Sequence, residues 1–251
     1  MEPTLIWILV SVLGGFVLAL LLGRGLVPAL RALKAGQSIR EVGPKWHQGK
    51  AGTPTMGGIV FILSSLLCIV TGWHAMRETG DYKHLLVLAL ALMFGLIGFA
   101  DDFIKVKKKR NLGLTGLQKL VLQVLAACLF LAGMHFTNAL TYDLYIPFVR
   151  EPLVHIPPLV YLALSVFIIV GCVNAVNLTD GIDGLATGVT LPVMLFFTLV
   201  SMTAKQWGLA TFPATLVGAL GGFLFYNFYP AKTFMGDTGS LYLGGAVCGL
   251  A

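Results

Sequence analysis

The chain has 251 residues, of which 57% are hydrophobic and only 11% charged, and its mean hydropathy is +0.87. An ordinary globular protein carries roughly 25% charged residues, so this chain cannot clothe a soluble core of its size; it reads as a single integral-membrane domain over residues 1–251. That excludes a disordered tail, a secreted disulfide scaffold and a nucleic-acid-binding domain, and assigns the net charge of +6 to basic cytoplasmic loops.

The expected fold is an all-α transmembrane bundle. A hydrocarbon core takes about 20 apolar residues as a helix. Successive apolar runs predict spans at Leu5–Leu22, Met56–Trp73, Leu85–Ala100, Leu117–Phe136, Leu159–Val176, Leu185–Thr203 and Leu209–Phe228. An eighth run opens at Leu241 and stops at Ala251, so seven spans read as complete and the eighth as cut short. The first run lacks the basic flank of a cleavable signal and is long enough to cross. Segment 137–158, with Tyr142, Tyr145, Pro147 and paired Pro157-Pro158, reads as a short hairpin or surface-lying piece. Cys68, Cys128, Cys172 and Cys248 lie in or beside apolar runs without a pairing pattern, as small core residues do. Gly218-x-x-x-Gly222 and Gly245-x-x-x-Gly249 read as helix-packing faces.

Loops on one side (24–54, 101–119, 174–184 and 226–239) hold 13 of the 17 Lys and Arg residues. The positive-inside rule puts them in the cytoplasm and the N-terminus outside. The same loops carry the polar motifs. Asp101 and Asp102 end the third span. Adjacent carboxylates at a membrane edge repel unless a cation or proton compensates them. Lys105, Lys107, Lys108, Lys109 and Arg110 follow, which places acid chemistry beside phosphate attraction.

Asn174, Asn177, Asp180 and Asp183 are spaced three apart, which on one helix would form a single polar stripe. Such a stripe is too costly to face lipid, so it is expected to line a cavity. Phe234–Ser240, reading FMGDTGS, flanks Asp237 with glycines at a helix start. A helix start suits an anion, and the Asp a hard cation bridging phosphates. Gly52–Gly58, reading GTPTMGG and preceded by Lys50, opens the second span. No His or Cys ligand set accompanies these acids, so the donor set suits Mg2+ rather than zinc. Mg2+ beside lysines suits phosphate chemistry, with one soluble and one lipid substrate meeting at the bilayer boundary.

These residues, taken in order, resemble a known family. Gly43-Pro44, His47, Lys50 and Gly52–Gly58, then Ala100–Lys105, Asn174–Gly184 and Phe234–Leu241 are similar to the phospho-N-acetylmuramoyl-pentapeptide transferases, within the polyprenyl-phosphate N-acetylhexosamine-1-phosphate transferases. The resemblance implies that undecaprenyl phosphate attacks UDP-MurNAc-pentapeptide, giving lipid I and UMP with Mg2+ required, at the cytoplasmic face of a bacterial plasma membrane. It implies Asp237 as metal ligand and Asp101, with Asp102 beside it, as base, the alternative of an Asp nucleophile staying open. Lys50, Asp183 and Phe234 would hold the uridine. Thr55, Asn174, Asn177, Asp180 and Asn227 would line the substrate pocket, and Lys105 and Lys119 would contact phosphates. A homodimer is a compatible assembly. The family pattern has ten spans and a His-rich motif before the last, so residues 1–251 alone are expected to insert without making lipid I.

Three other readings compete. One is a relative transferring N-acetylglucosamine phosphate, over which GTPTMGG favours the muramoyl branch. A lipid-phosphate transporter would place polar groups on both faces or mid-span. A non-catalytic fragment would follow from the early stop. The basic bias makes a direct prediction: in intact cells an impermeant thiol reagent labels a cysteine placed at position 150 and leaves one at position 108 unlabelled. The reverse pattern overturns the topology.

Overall fold

The computed structural model describes residues 3–33, 52–80, 82–108, 110, 112–144, 154–155 and 157–251. Among them lie nine helices: α1 (Pro3–Ala32), α2 (Ile59–Ser65), α3 (Leu67–Thr79), α4 (Lys83–Lys108), α5 (Gly116–Phe136), α6 (Pro158–Thr179), α7 (Leu185–Thr203), α8 (Trp207–Asn227) and α9 (Gly236–Leu250). Six of them, α1 and α4 to α8, are long and apolar enough to cross a membrane. The expected hairpin is present as two two-residue strands, β1 (Asp143–Leu144) antiparallel to β2 (Val154–His155).

Three boundaries differ from the sequence reading. The expected second span is two helices meeting at Leu66. Ser64 and Ser65 turn their hydroxyls back onto the carbonyls of Val60 and Ile62, and such back-bonding competes with the helical ladder. α4 does not end at Ala100. It continues through Asp101 and Asp102 to Lys108, so the acid pair is embedded in a helix whose last turn is basic, as the helix dipole favours. α1 likewise runs past Leu22 to Ala32, supported by the Tyr226 hydroxyl, which donates to the Leu20 carbonyl at 2.7 Å.

α8 and α9 form the centre, and α4 covers α9 while α1 covers α8. Phe61, Met194, Phe212, Phe223 and Tyr242 are fully enclosed there, with the Ser65 and Tyr242 hydroxyls satisfying each other at 2.6 Å. The outer helices expose Leu13, Val17, Leu129, Phe167 and Phe196, as lipid-facing surfaces do. Gly218 borders the backbone of α1 so closely that a methyl group would run into the Val12 carbonyl, whereas Gly221 has ordinary room beside Phe16. Gly218→Ala is therefore expected to lower stability by roughly 1–3 kcal/mol through overpacking, while Gly221→Ala leaves it unchanged or raises it. Thermal unfolding in detergent measures both.

Candidate active site

Local sequence explains how each element reaches the site. Thr115 accepts from the Gln118 backbone N–H and the Gln118 side chain accepts from that of Thr115, a capping box that starts α5 and aims Lys119 inward. The Leu114 N–H donates to Asp101 Oδ1 at 2.8 Å, tying this start to α4. Segment 54–58 is stitched to segment 233–235 by main-chain bonds. Phe234 N–H donates to the Pro54 carbonyl, Gly57 N–H to that of Phe234, and Gly58 N–H to that of Met235, at 2.8, 2.8 and 3.0 Å. The GTPTMGG and FMGD motifs thus form one unit. Gly236, with φ +71°, turns the chain into α9. Gly98 on α4 lets that first turn lie against it, since a methyl group there would strike the Asp237 backbone.

Asp101, Asp102 and Asp237 come together, each offering a carboxylate oxygen within 4.8 Å of the others. Lys105 Nζ lies 2.5 Å from Asp101, 3.7 Å from Asp102 and 3.0 Å from Asp237. Lys119 Nζ reaches the same Asp237 oxygen at 3.0 Å. Asn177 donates from Nδ2 to Asp237 Oδ1 at 2.9 Å and to Ser240 Oγ at 2.7 Å. Asp102 Oδ2 accepts both the backbone N–H and the hydroxyl of Thr238, at 2.9 and 2.7 Å. It therefore caps α9 from a neighbouring helix, satisfying a donor that the helix start leaves over.

Other expected site residues fall differently. The four-residue polar stripe is not one helical face: α6 ends at Thr179, Asp180 is its C-cap and Asp183 lies in the following turn, where it accepts from the Ala231 N–H at 3.1 Å. Asn174 exchanges hydrogen bonds with Gln123. Asn227 is buried and spends both ends inside the protein, accepting from the Thr187 hydroxyl at 2.7 Å and donating to the Thr233 carbonyl at 3.1 Å. Thr55 is also buried, its hydroxyl lacking a hydrogen-bond partner among the described residues. Phe234 is half-buried beside Asp237 in sequence, and Lys50 lies outside the described residues. Gln123 lies outside the motifs of the sequence, whereas Thr238 and Ser240 lie within FMGDTGS, where only the structure gives them partners. Gln123 carried a signal: of the two Gln in α5, Gln118 belongs to the capping box at its start, and Gln123 is the one flanked on both sides by apolar residues.

The residues fit a hard cation. Every donor is a carboxylate, amide or hydroxyl oxygen, and the three carboxylates of Asp101, Asp102 and Asp237 outnumber Lys105 and Lys119. Leu120, Val124, Ala163, Val166, Phe167, Val170 and Gly171 line an apolar groove of about 380 Å³ between α5 and α6, with Asn174 its polar residue.

The sequence model of glycosyl transferase family 4 matches residues 84–251, and the first signature of the phospho-N-acetylmuramoyl-pentapeptide-transferases matches residues 50–62. The phospho-N-acetylmuramoyl-pentapeptide-transferase of Carboxydothermus hydrogenoformans is 47% identical over 96% of this chain and 74% of its own length. That of Bacillus subtilis is 46% identical over 97% and 74%, and that of Clostridium acetobutylicum 46% identical over 97% and 75%. This chain belongs to the phospho-N-acetylmuramoyl-pentapeptide-transferase family.

Burial, then the charges of Asp237, Asp102 and Asp183, push the Asp180 carboxyl up to about 8. The folded protein thus keeps a proton that the unfolded chain releases near pH 4. This contribution to stability is complete below pH 4 and is lost as pH rises through about 8. Asp180→Asn is therefore expected to stabilise the protein at pH 9 relative to wild type, with little difference at pH 4, in thermal melts free of divalent ions. Equal effects at both pH values would refute the assignment.

Proposed function

We propose that this protein transfers phospho-MurNAc-pentapeptide from UDP-MurNAc-pentapeptide to undecaprenyl phosphate, releasing UMP and forming lipid I for peptidoglycan synthesis. One observation carries the reading beyond family membership: three acids and two lysines converge near one end of the apolar groove between α5 and α6, a boundary between polar and apolar surface. A reaction between a water-soluble nucleotide sugar and a prenyl phosphate needs such a boundary. The muramoyl signature at residues 50–62 favours this branch over the N-acetylglucosamine relatives. The basic-loop bias supports a site on the cytoplasmic face of the bacterial plasma membrane, with the N-terminus outside.

In this reading an oxygen of the lipid phosphate attacks the sugar-side phosphorus, and the bond from that phosphorus to the UMP oxygen breaks. Asp101 takes a proton from the lipid phosphate, its side chain held by Lys105 and the Leu114 N–H. Lys105 and Lys119 turn from Asp237 to the phosphates and neutralise charge that develops on them. Asp102 keeps the first turn of α9 in place through Thr238. Phe234, Asp183 and Lys50 bind the uridine, Phe234 by stacking, and Asn177 and Asp180 face the sugar diphosphate. Mg2+, when held by Asp237 with Asp101 or Asp102 beside it, supplies a hard positive charge to the diphosphate oxygens. Asn227 and Thr55, being buried, support the pocket wall rather than touch substrate.

Asp237→Asn in the full-length protein is expected to cut Mg2+-dependent turnover at least about 100-fold, as loss of a charge-stabilising group does, while leaving the fold intact at a lower melting temperature. The amide keeps the side chain's shape but offers one acceptor in place of two and lacks the charge that a cation needs. Near-normal lipid I formation at equal Mg2+ would reject the metal role.

A further inference from the structure

We propose that Gln123 and Asn174 form an uncharged clasp between α5 and α6 that positions Asp237, which makes Gln123 a positioning residue for the transfer reaction. The inference rests on the transferase reading for its catalytic consequence and on geometry alone for the clasp. Asn174 Nδ2 donates to Gln123 Oε1 at 2.8 Å, and Gln123 Nε2 returns a bond to Asn174 Oδ1 at 3.3 Å. Asn174 Nδ2 also donates to the Val170 carbonyl at 2.8 Å, which fixes its orientation. Gln123 is only 1% exposed, so its amide has no water to replace a lost partner.

The clasp lies one turn from the acidic centre on both helices. Lys119 and Gln123 are four residues apart on α5, and Asn174 and Asn177 three apart on α6, so each pair shares a face. Lys119 and Asn177 are two of the side chains that hold Asp237, one at each carboxylate oxygen. The two helices are thus joined by two rungs, Gln123–Asn174 and Lys119–Asp237–Asn177. The second rung changes during the proposed reaction, because Lys119 must turn to a phosphate and Asp237 to a cation. The first is neutral and has no such competitor.

Packing shares the task. Ala126, Ala127 and Phe130 of α5 lie in one buried apolar cluster with Ile169 and Val173 of α6, while Leu120 and Val124 line the groove together with Val166, Phe167 and Val170. Apolar packing resists separation of the helices but is non-directional; the paired amides fix their register at the end nearest the acids.

The test measures turnover and exchange on the full-length protein in lipid nanodiscs, with UDP-MurNAc-pentapeptide and undecaprenyl phosphate as substrates. The variants are Gln123→Leu, Asn174→Gln and the exchange Gln123→Asn/Asn174→Gln. Gln123→Leu is expected to lower kcat about 10- to 100-fold with KM for the nucleotide sugar within about two-fold of wild type. The exchange, which keeps the combined length and both bonding partners, is expected to regain most of that loss. Amide hydrogen exchange over residues 116–122 is expected to quicken in Gln123→Leu and to recover in the exchange. Should Gln123→Leu not purify, Gln123→Glu, of equal length but without the donor, takes its place with the same expected direction. Wild-type kcat in the single variant, or unchanged exchange over 116–122, overturns the clasp. An exchange variant as poor as Asn174→Gln, with raised KM, overturns it in favour of direct substrate contact by Asn174. Failure of the wild type to form lipid I sinks the transferase reading instead, and the exchange measurement still decides the clasp.

Discussion

The carboxylate of Asp237 accepts hydrogen bonds from Lys105, Lys119 and Asn177 at 3.0, 3.0 and 2.9 Å, and so ties α4, α5 and α6 to the first turn of α9. Like charges held together at the edge of hydrocarbon are costly, and each must find a donor or a cation. That requirement organises the whole end of the bundle. Asp101 reaches Lys105 and the start of α5, and Asp102 reaches Lys105 and Thr238. The three carboxylates of Asp101, Asp102 and Asp237 outnumber Lys105 and Lys119, so the same arrangement that holds the helices also suits a divalent ion.

The acids could not share this space if α9 stood at an ordinary helix-packing distance. The absent side chain of Gly98 lets the Asp237 backbone rest on α4, and the main-chain bonds between segments 54–58 and 233–235 hold the other side. Backbone-to-backbone contacts of this kind fix position more tightly than flexible side chains do, which suits a carboxylate whose placement matters to a fraction of an ångström.

The polar residues then divide into two kinds. Some are bonded entirely within the protein, as Asn227 is to Thr187 and Thr233, and as Gln123 is to Asn174. Others keep capacity for something else. The Asp180 carboxyl feels the charges of Asp237, Asp102 and Asp183, and Asp237 is still partly exposed. A pocket built this way has fixed walls and a reactive centre whose partners can be exchanged. In the proposed reaction the apolar groove beside it would take the lipid tail, which needs no polar partner until its phosphate meets the acids.

The sequence by itself determined the membrane class, most of the spans, and the identity of the acids and lysines. Hydrophobic run length and unpaired charge are local properties, and buried charge in such a chain is too costly to be incidental. It also carried the family, because four motifs recur in order. What it misjudged were helix boundaries. Asp101 and Asp102 read as a helix end because charge ordinarily stops an apolar run, yet α4 continues for two turns on its lysines. The three-residue spacing from Asn174 to Asp183 read as one face, yet the helix stops at Thr179. Only the tertiary structure decided that Asn227 and Asn174 bond to protein groups, that Asp102 caps α9, and that Gln123 belongs near the site. Those facts depend on which helices lie side by side, with partners 40, 51 and 136 residues away in the chain, and no local periodicity encodes a pairing over such separations.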